Sequence, residues 1–260
     1  MKAVILAAGM GTRLGKYTQD LPKCMLSFNG KTLIEKQVET LRNAGITDIT
    51  IVKGYHPEKI NIEGTKTYLN KIYDETNMVE TLFCAEQEMD DDILICYADI
   101  LYEPKLLKQV LKSKANIGVA VDDDYWEYWS ARSDKPEDDM ESLVIQDGKI
   151  TELGNTQCTR SEAKVRYIGL IKISKEGLKK FKQIYHDQKE KWYGKDAPWL
   201  RSKSFKNGYM TCMLQALINN EIEVNPIVVQ RGWLEFDTVE DLESYTKWLN
   251  EGTLSRFYKV

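Results

Sequence analysis

Lys2-Ala3-Val4-Ile5-Leu6-Ala7-Ala8-Gly9-Met10-Gly11-Thr12-Arg13-Leu14, followed closely by Leu21-Pro22-Lys23-Cys24-Met25, is the stretch on which the reading of this chain turns. Val4, Ile5 and Leu6 form an apolar run too short for a helix, so the segment reads as a buried strand. Ala7, Ala8 and Gly9 are small and let another group approach the backbone closely. Successive N–H groups of such a turn can cradle an anion. Arg13 adds a fork of donors that matches phosphate geometry, and Lys23 adds a compact charge. Two basic residues beside one glycine-rich turn point to a triphosphate more than to a neutral ligand. Two familiar phosphate loops are excluded. A Walker A loop needs Gly-Lys-Ser/Thr, and here Gly15-Lys16 is followed by Tyr17. The dinucleotide pattern Gly-x-Gly-x-x-Gly is missed by one residue, because the third glycine is Gly15.

Working outward, the next segments alternate between helix and strand. Leu33, Ile34, Val38 and Leu41 make a helical stripe that stops near Gly45. Asp48 to Lys53 is β-branched and alternating, hence a strand, and Lys66 to Leu69 is a weaker one. Met78 to Met89 reads as a helix, Ile93 to Tyr97 as a strand ending at Ala98-Asp99, Pro104 to Leu111 as a helix and Ile117 to Val121 as a strand. That alternation predicts right-handed crossovers and a mostly parallel sheet, with ligands beyond the carboxyl ends of the strands. The later part predicts a hairpin at Leu143–Thr151 turning at Asp147-Gly148. It also predicts strands at Arg166–Ile173, Glu221–Val229 and Gly232–Phe236. Helices are expected at Gly177–Tyr185, at Tyr209–Ile218 and after a Thr238 cap. Residues 1–260 are expected to form a single domain. Within it, 1–121 would be the nucleotide-binding half and 122–260 an acceptor-binding half that completes the sheet.

Asp99 and Asp237 each follow a strand. Each reads either as a turn or cap residue or as a magnesium ligand, since magnesium takes one or two carboxylates together with substrate phosphates. Asn77 stands at a helix start, where it either caps the helix or holds a ligand. Asp122-Asp123-Asp124 precedes Tyr125-Trp126-Glu127-Tyr128-Trp129. This segment reads either as an amphipathic helix packing its rings inward or as a cage for a cationic group. On the second reading Asp122, Trp126 and Trp129 are acceptor-binding.

Net charge is −4 over 260 residues with both signs mixed, which argues against a nucleic-acid partner. No apolar run approaches the ~20 residues of a membrane span, and no signal peptide is expected. Five scattered cysteines include no Cys-x-x-Cys pair, so a reduced, cytoplasmic monomer or homodimer is expected.

Leu6-Ala7-Ala8-Gly9-x-Gly11-Thr12-Arg13-Leu14 with Pro22-Lys23 resembles the signature of the nucleotidyltransferases that activate sugar phosphates and phosphocholine. Thr18 to Met25 looks most like the phosphocholine-type cytidylyltransferases, while Asn77 to Cys84 and Trp233 to Leu242 look more like the glutamine-phosphate cytidylyltransferases of capsular phosphoramidate synthesis. The resemblance implies an α/β chain with a three-layer Rossmann-like fold and a mostly parallel central mixed sheet. It implies that Leu6, Ala7, Ala8, Gly9, Met10, Gly11, Thr12, Arg13, Lys23, Tyr97 and Ala98 bind CTP. Asp99 and Asp237 would bind Mg2+. Transfer of CMP to a small phosphorylated acceptor would need no protein nucleophile, only positioning and charge neutralisation by magnesium, Lys23 and Arg13. The rival readings are a sugar-1-phosphate nucleotidyltransferase using UTP or dTTP, and a non-catalytic nucleotide-binding subunit.

Overall fold

Alternation along the first strand sets the layering. In β1 (Lys2–Ala7), Val4 and Leu6 pack into one hydrophobic cluster while Ala3, Ile5 and Ala7 pack into another. A strand buried on both faces needs helices on both sides. The computed structural model describes residues 1–260. Its central sheet continues with β2 (Ile49–Lys53), β3 (Lys66–Leu69), β4 (Ile93–Tyr97), β5 (Ile117–Asp122), β6 (Arg166–Ile173) and β7 (Asn225–Val229), in the order β7-β5-β6-β4-β1-β2-β3. All neighbours pair in parallel except β6, which runs antiparallel to both β4 and β5. The expected mixed, mostly parallel three-layer sheet is the one observed.

The helices are α1 (Leu33–Asn43), α2 (Met78–Phe83), α3 (Pro104–Lys112), α4 (Trp126–Arg132), α5 (Lys175–Trp192), α6 (Met210–Asn219) and α7 (Val239–Asn250). α1, α3, α4 and α7 cover the Ile5 face through Leu33, Leu107, Trp129 and Tyr245. α2, α5 and α6 cover the Val4 face through Val79, Phe181 and Met213. The sheet order reverses at β1: the chain leaves it toward β2 and β3, then returns to lay β4 on the other side. The loops after β1 and β4 therefore diverge and leave a crevice at the carboxyl ends.

Several local expectations change. α2 stops at Phe83 instead of continuing to Met89, and Glu86–Glu88 forms a 3₁₀ turn. Glu88 is drawn out of the helix by Lys66 Nζ (2.7 Å), Tyr68 OH (2.8 Å) and Lys2 Nζ (3.2 Å), donors on β3 and β1. The strand expected from Glu221 begins only at Asn225, because Glu221 takes a left-handed conformation (φ 60°) where α6 ends. Trp233–Glu235 stays out of the central sheet. It pairs antiparallel with Ile100–Tyr102, a strand that sequence reading missed, as a two-stranded ribbon. The hairpin turns at Asp147 (φ 50°) and Gly148 (φ 76°) as expected.

Candidate active site

The crevice between the loops after β1 and β4 is lined by the glycine loop, the Lys23 segment, the start of α2, the β4 corner and the Asp237 corner. Gly11 shows why the loop must be glycine. Its φ is +67°, and a Cβ there would lie 3.0 Å from Lys23 Cβ and 3.2 Å from Thr18 Cγ2. Thr18 Oγ1 donates to the Gly11 carbonyl at 2.7 Å, which fixes the loop against the segment that brings Lys23 in. The sequence-named loop residues thus reach the lysine by contact, not only by proximity in the chain.

Lys23 joins the two acidic corners. Its Nζ donates to Asp99 Oδ2 at 2.6 Å and to Asp237 Oδ1 at 2.7 Å, and Arg13 Nη1 meets Asp237 Oδ2 at 2.6 Å. Burial by itself lowers the Lys23 ammonium pKa. The two carboxylates more than offset that and hold it above the ordinary lysine value. Asp99 is pushed up by burial, which Lys23 opposes and the nearby Glu235 and Asp237 reinforce. Asp99 Oδ1 is buried and accepts no hydrogen bond. A buried carboxylate oxygen with a free lone pair, opposite a second carboxylate, is a donor set suited to a hard divalent cation that completes its shell with phosphate oxygens and water. Cys24 lies against this site, but burial pushes its thiol up to about 12, so it stays neutral and is no nucleophile.

Asp237 is held by its own neighbours. Asp241 Oδ2 accepts the backbone N–H groups of Asp237 and Thr238, both at 2.8 Å, in a capping box at the start of α7. Arg132 in turn grips Asp241 through Nε and Nη2, reaches Glu235 with Nη1 (2.8 Å), and stacks 4.3 Å from the Trp129 ring. Glu235 is thereby committed to Arg132. Burial alone would raise its carboxyl pKa, and Arg132, Arg166 and Lys23 lower it below the ordinary value.

Leu6, Ala7, Ala8, Gly9, Tyr97 and Ala98 line an inner cavity with Tyr73, Thr76 and Asn77. Gly9, Gly11, Thr12, Arg13 and Lys23 line the wider adjoining cleft, and Met10 is exposed beside it. Asn77 caps α2, accepting from Met78 N at 2.8 Å, and still faces both spaces.

The acceptor residues read from the sequence need correction. Asp122 is fully buried and accepts from Trp233 Nε1 (2.7 Å), Asp124 N (2.9 Å) and Arg231 N (3.1 Å). It does end a strand on the ligand side. The inserted β6, however, sets β5 two strand spacings from β4, roughly 10 Å to the side. Trp129 is buried and its ring is taken by Arg132 and by Arg166, whose Cζ lies 4.1 Å away. Trp126 carries Arg160 at 4.1 Å. The aromatic segment does bind cations, and they are the protein's own arginines. The cleft wall opposite the glycine loop is made instead by Asp139, Glu141, Arg166, Tyr167 and Gly169, none of which was expected at the site from the sequence. Gly169 (φ +78°) leaves room for the Tyr97 ring, which a Cβ would approach to 2.9 Å. The Glu141 carboxyl is pushed up by burial, which Arg166 opposes and Asp139 and Glu235 reinforce.

A sheet that reverses its order beside a glycine turn and carries basic and acidic groups on facing corners is built to hold a charged nucleotide. The sequence places that architecture in a family: residues 3–163 match the MobA-like NTP transferase domain. The chain belongs to this family and is a nucleotidyltransferase. Among its relatives is the CTP:phosphoglutamine cytidylyltransferase of Campylobacter jejuni subsp. jejuni serotype O:2. The two are 36% identical over 256 residues, which cover 94% of this chain and 98% of the relative. The choline-phosphate cytidylyltransferase of Streptococcus pneumoniae is 34% identical over 44% of this chain and 51% of its own length. The solved structure of CTP:phosphocholine cytidylyltransferase from Streptococcus pneumoniae shares the fold with a TM-score of 0.72 at 23% identity, covering 95% of this chain and 98% of that one. No helix is long and apolar enough to cross a membrane.

Proposed function

We propose that this nucleotidyltransferase moves CMP from CTP to a small phosphorylated metabolite that carries an amine, of the glutamine-phosphate or phosphocholine kind, and releases pyrophosphate. The observation that carries the reading is the convergence of Lys23, Arg13, Asp99 and Asp237 at the mouth of a glycine-loop cavity. Likeness to cytidylyltransferases, one of them along nearly the whole chain, supports CTP as donor. The nucleoside lies in the cavity beside Leu6–Gly9 and Ala98, and the triphosphate lies on the Gly9–Arg13 turn. Asp99 and Asp237 would hold magnesium, which would offset charge on the triphosphate. Lys23 and Arg13 hold the phosphates for in-line attack by an acceptor phosphate oxygen that is already ionised, so no general base is required. The acceptor lies toward Tyr167 and Gly169. Arg166 Nη1 is tied to the Asp139 carbonyl at 2.7 Å, which fixes a cation there for the acceptor's own anionic groups. Glu141 faces the amine end. Surface-polysaccharide decoration is the setting this reading favours, and a soluble cytoplasmic enzyme the form.

The test crosses the four nucleoside triphosphates with phosphocholine, phosphoethanolamine, glutamine phosphate and glucose-1-phosphate, with magnesium and pyrophosphate detection. Release confined to CTP with an amine-bearing acceptor supports the reading. Preference for UTP or dTTP with glucose-1-phosphate overturns it in favour of a sugar nucleotidyltransferase.

A further inference from the structure

Gln37 occupies a position that packing does not explain. Leu33, Gln37 and Leu41 recur every fourth residue on α1, so all three face the core, and Gln37 is 1% exposed. Burying an amide carries a desolvation cost that only full hydrogen bonding offsets. Gln37 is not fully bonded: its Oε1 is buried without a partner. An apolar side chain would fill that stripe without the orphan oxygen, but it would leave two backbone carbonyls without this donor. What the amide does make is specific. Its Nε2 donates to the carbonyl of Tyr97 at 2.8 Å and also to the carbonyl of Ile100. Tyr97 is the last residue of β4, and Ile100 is the first residue of the two-stranded ribbon. Between them lie only Ala98 and Asp99.

The ribbon also carries the second acidic corner. Ile100 stands opposite Glu235, and Phe236 N donates to the Asp99 carbonyl at 2.9 Å, directly before Asp237. Asp99 and Asp237 therefore share one backbone frame that is hydrogen-bonded to itself and separate from the central sheet. The frame hangs from β4 at the Ala98-Asp99 corner, and the glycine loop hangs from β1. The two carry opposite walls of the same site. Gln37 spans the corner from the helix side and closes it with two donors on one nitrogen.

The geometry points to Gln37 as a positioning residue for the metal: its amide fixes the angle at which the Asp99–Asp237 frame leaves the sheet, and so holds both carboxylates on one divalent ion. This rests on the reading of those two aspartates as the metal site. Outer partners that orient metal ligands typically govern affinity by 10–100-fold. Gln37→Leu keeps the volume, removes both donors and relieves the orphan oxygen. The fold should hold, with a melting temperature within a few degrees of the wild type.

The experiment titrates Mn2+ into the protein with a non-hydrolysable CTP analogue and follows water-proton relaxation, alongside melting curves and turnover at several magnesium concentrations. Gln37→Leu is expected to weaken Mn2+ binding about tenfold and to raise the magnesium needed for half-maximal rate by a similar factor. The KM for CTP at saturating magnesium should stay near wild type. Gln37→Asn keeps the amide but its shorter reach serves only one carbonyl, so it should fall between the two, and it carries the test if the leucine variant does not fold. Unchanged Mn2+ binding in both variants, with or without a lower melting temperature, overturns the inference and leaves Gln37 a core residue. If wild type binds Mn2+ and loses nothing on Asp99→Asn, the metal-site reading itself fails, and the positioning role falls with it.

Discussion

Lys23 lies between Asp99 and Asp237 at 2.6 and 2.7 Å, so a single side chain touches both acidic corners of the cleft. Lys23→Ala is expected to lower turnover by ~10²–10³ at saturating CTP, the usual loss when one preorganised charge is removed from a reacting phosphate. Near-wild-type turnover would end the assignment. Asp99→Asn and Asp237→Asn should each abolish most magnesium-dependent turnover, with the double variant little worse than either single one. Groups that hold one ion act as a unit. Cleanly multiplicative losses would separate them. Arg13, Lys23, Asp99 and Asp237 were legible in the sequence because Arg13 lies in the glycine turn, Lys23 follows Pro22 just beyond it and each aspartate follows a strand, places that rarely need charge for packing. Glu141, Arg166 and Tyr167 were not. Arg166 and Tyr167 reach the cleft on β6, which enters the sheet antiparallel beside β4, and Glu141 reaches it from the loop before the hairpin; nothing local to these residues announces either placement.

At the scale of elements, α4 shows how one pattern serves two ends. An acidic run followed by Tyr-Trp-x-Tyr-Trp reads the same whether its rings face a ligand or a core. The deciding partners are distant: Trp233 Nε1 reaches Asp122 from 111 residues away. Trp129→Ala should therefore cost about 3–5 kcal/mol of stability while leaving the acceptor KM near wild type in whatever folded protein remains. Denaturation and kinetics on the same preparation check both halves of that statement. Arg132→Met would leave the buried Asp241 and the half-buried Glu235 without their cation, and about 3–5 kcal/mol is the expected loss in chemical denaturation. A loss under 1 kcal/mol would mean the cluster is better hydrated than its burial indicates. Glu88 ties α2's end to β1 and β3. Hydrogen bonds from Lys66 lead, followed by Tyr68 and Lys2 against a burial cost, and they lower its carboxyl from 4.5 to about 2. A depressed carboxyl stabilises the fold above its unfolded pKa and loses that contribution as pH falls toward the folded value. Glu88→Gln should thus flatten the acid limb of the stability profile between about pH 4.5 and 2. An unaltered acid limb would show that the contact adds nothing in solution.

Across the whole molecule, the parallel strands were readable from their apolar runs and the helices from their stripes, and the sheet follows from their alternation. The strand at Trp233–Glu235 was readable, but its partner Ile100–Tyr102, and with it the ribbon, escaped because three residues are too few for alternation to show. Yet that ribbon sets Asp99 beside Asp237 from 138 positions away in sequence. In the proposed reaction this frame and the glycine loop together pass CMP from CTP to a phosphorylated amine. The most direct measurement incubates the protein with magnesium, α-phosphate-labelled CTP and glutamine phosphate or phosphocholine, then separates the products. Label is expected in a new cytidine-containing product joined to the acceptor through a pyrophosphate link, with the released pyrophosphate unlabelled. Label remaining in CTP with both acceptors, or transferred to glucose-1-phosphate more readily than to either, would contradict it.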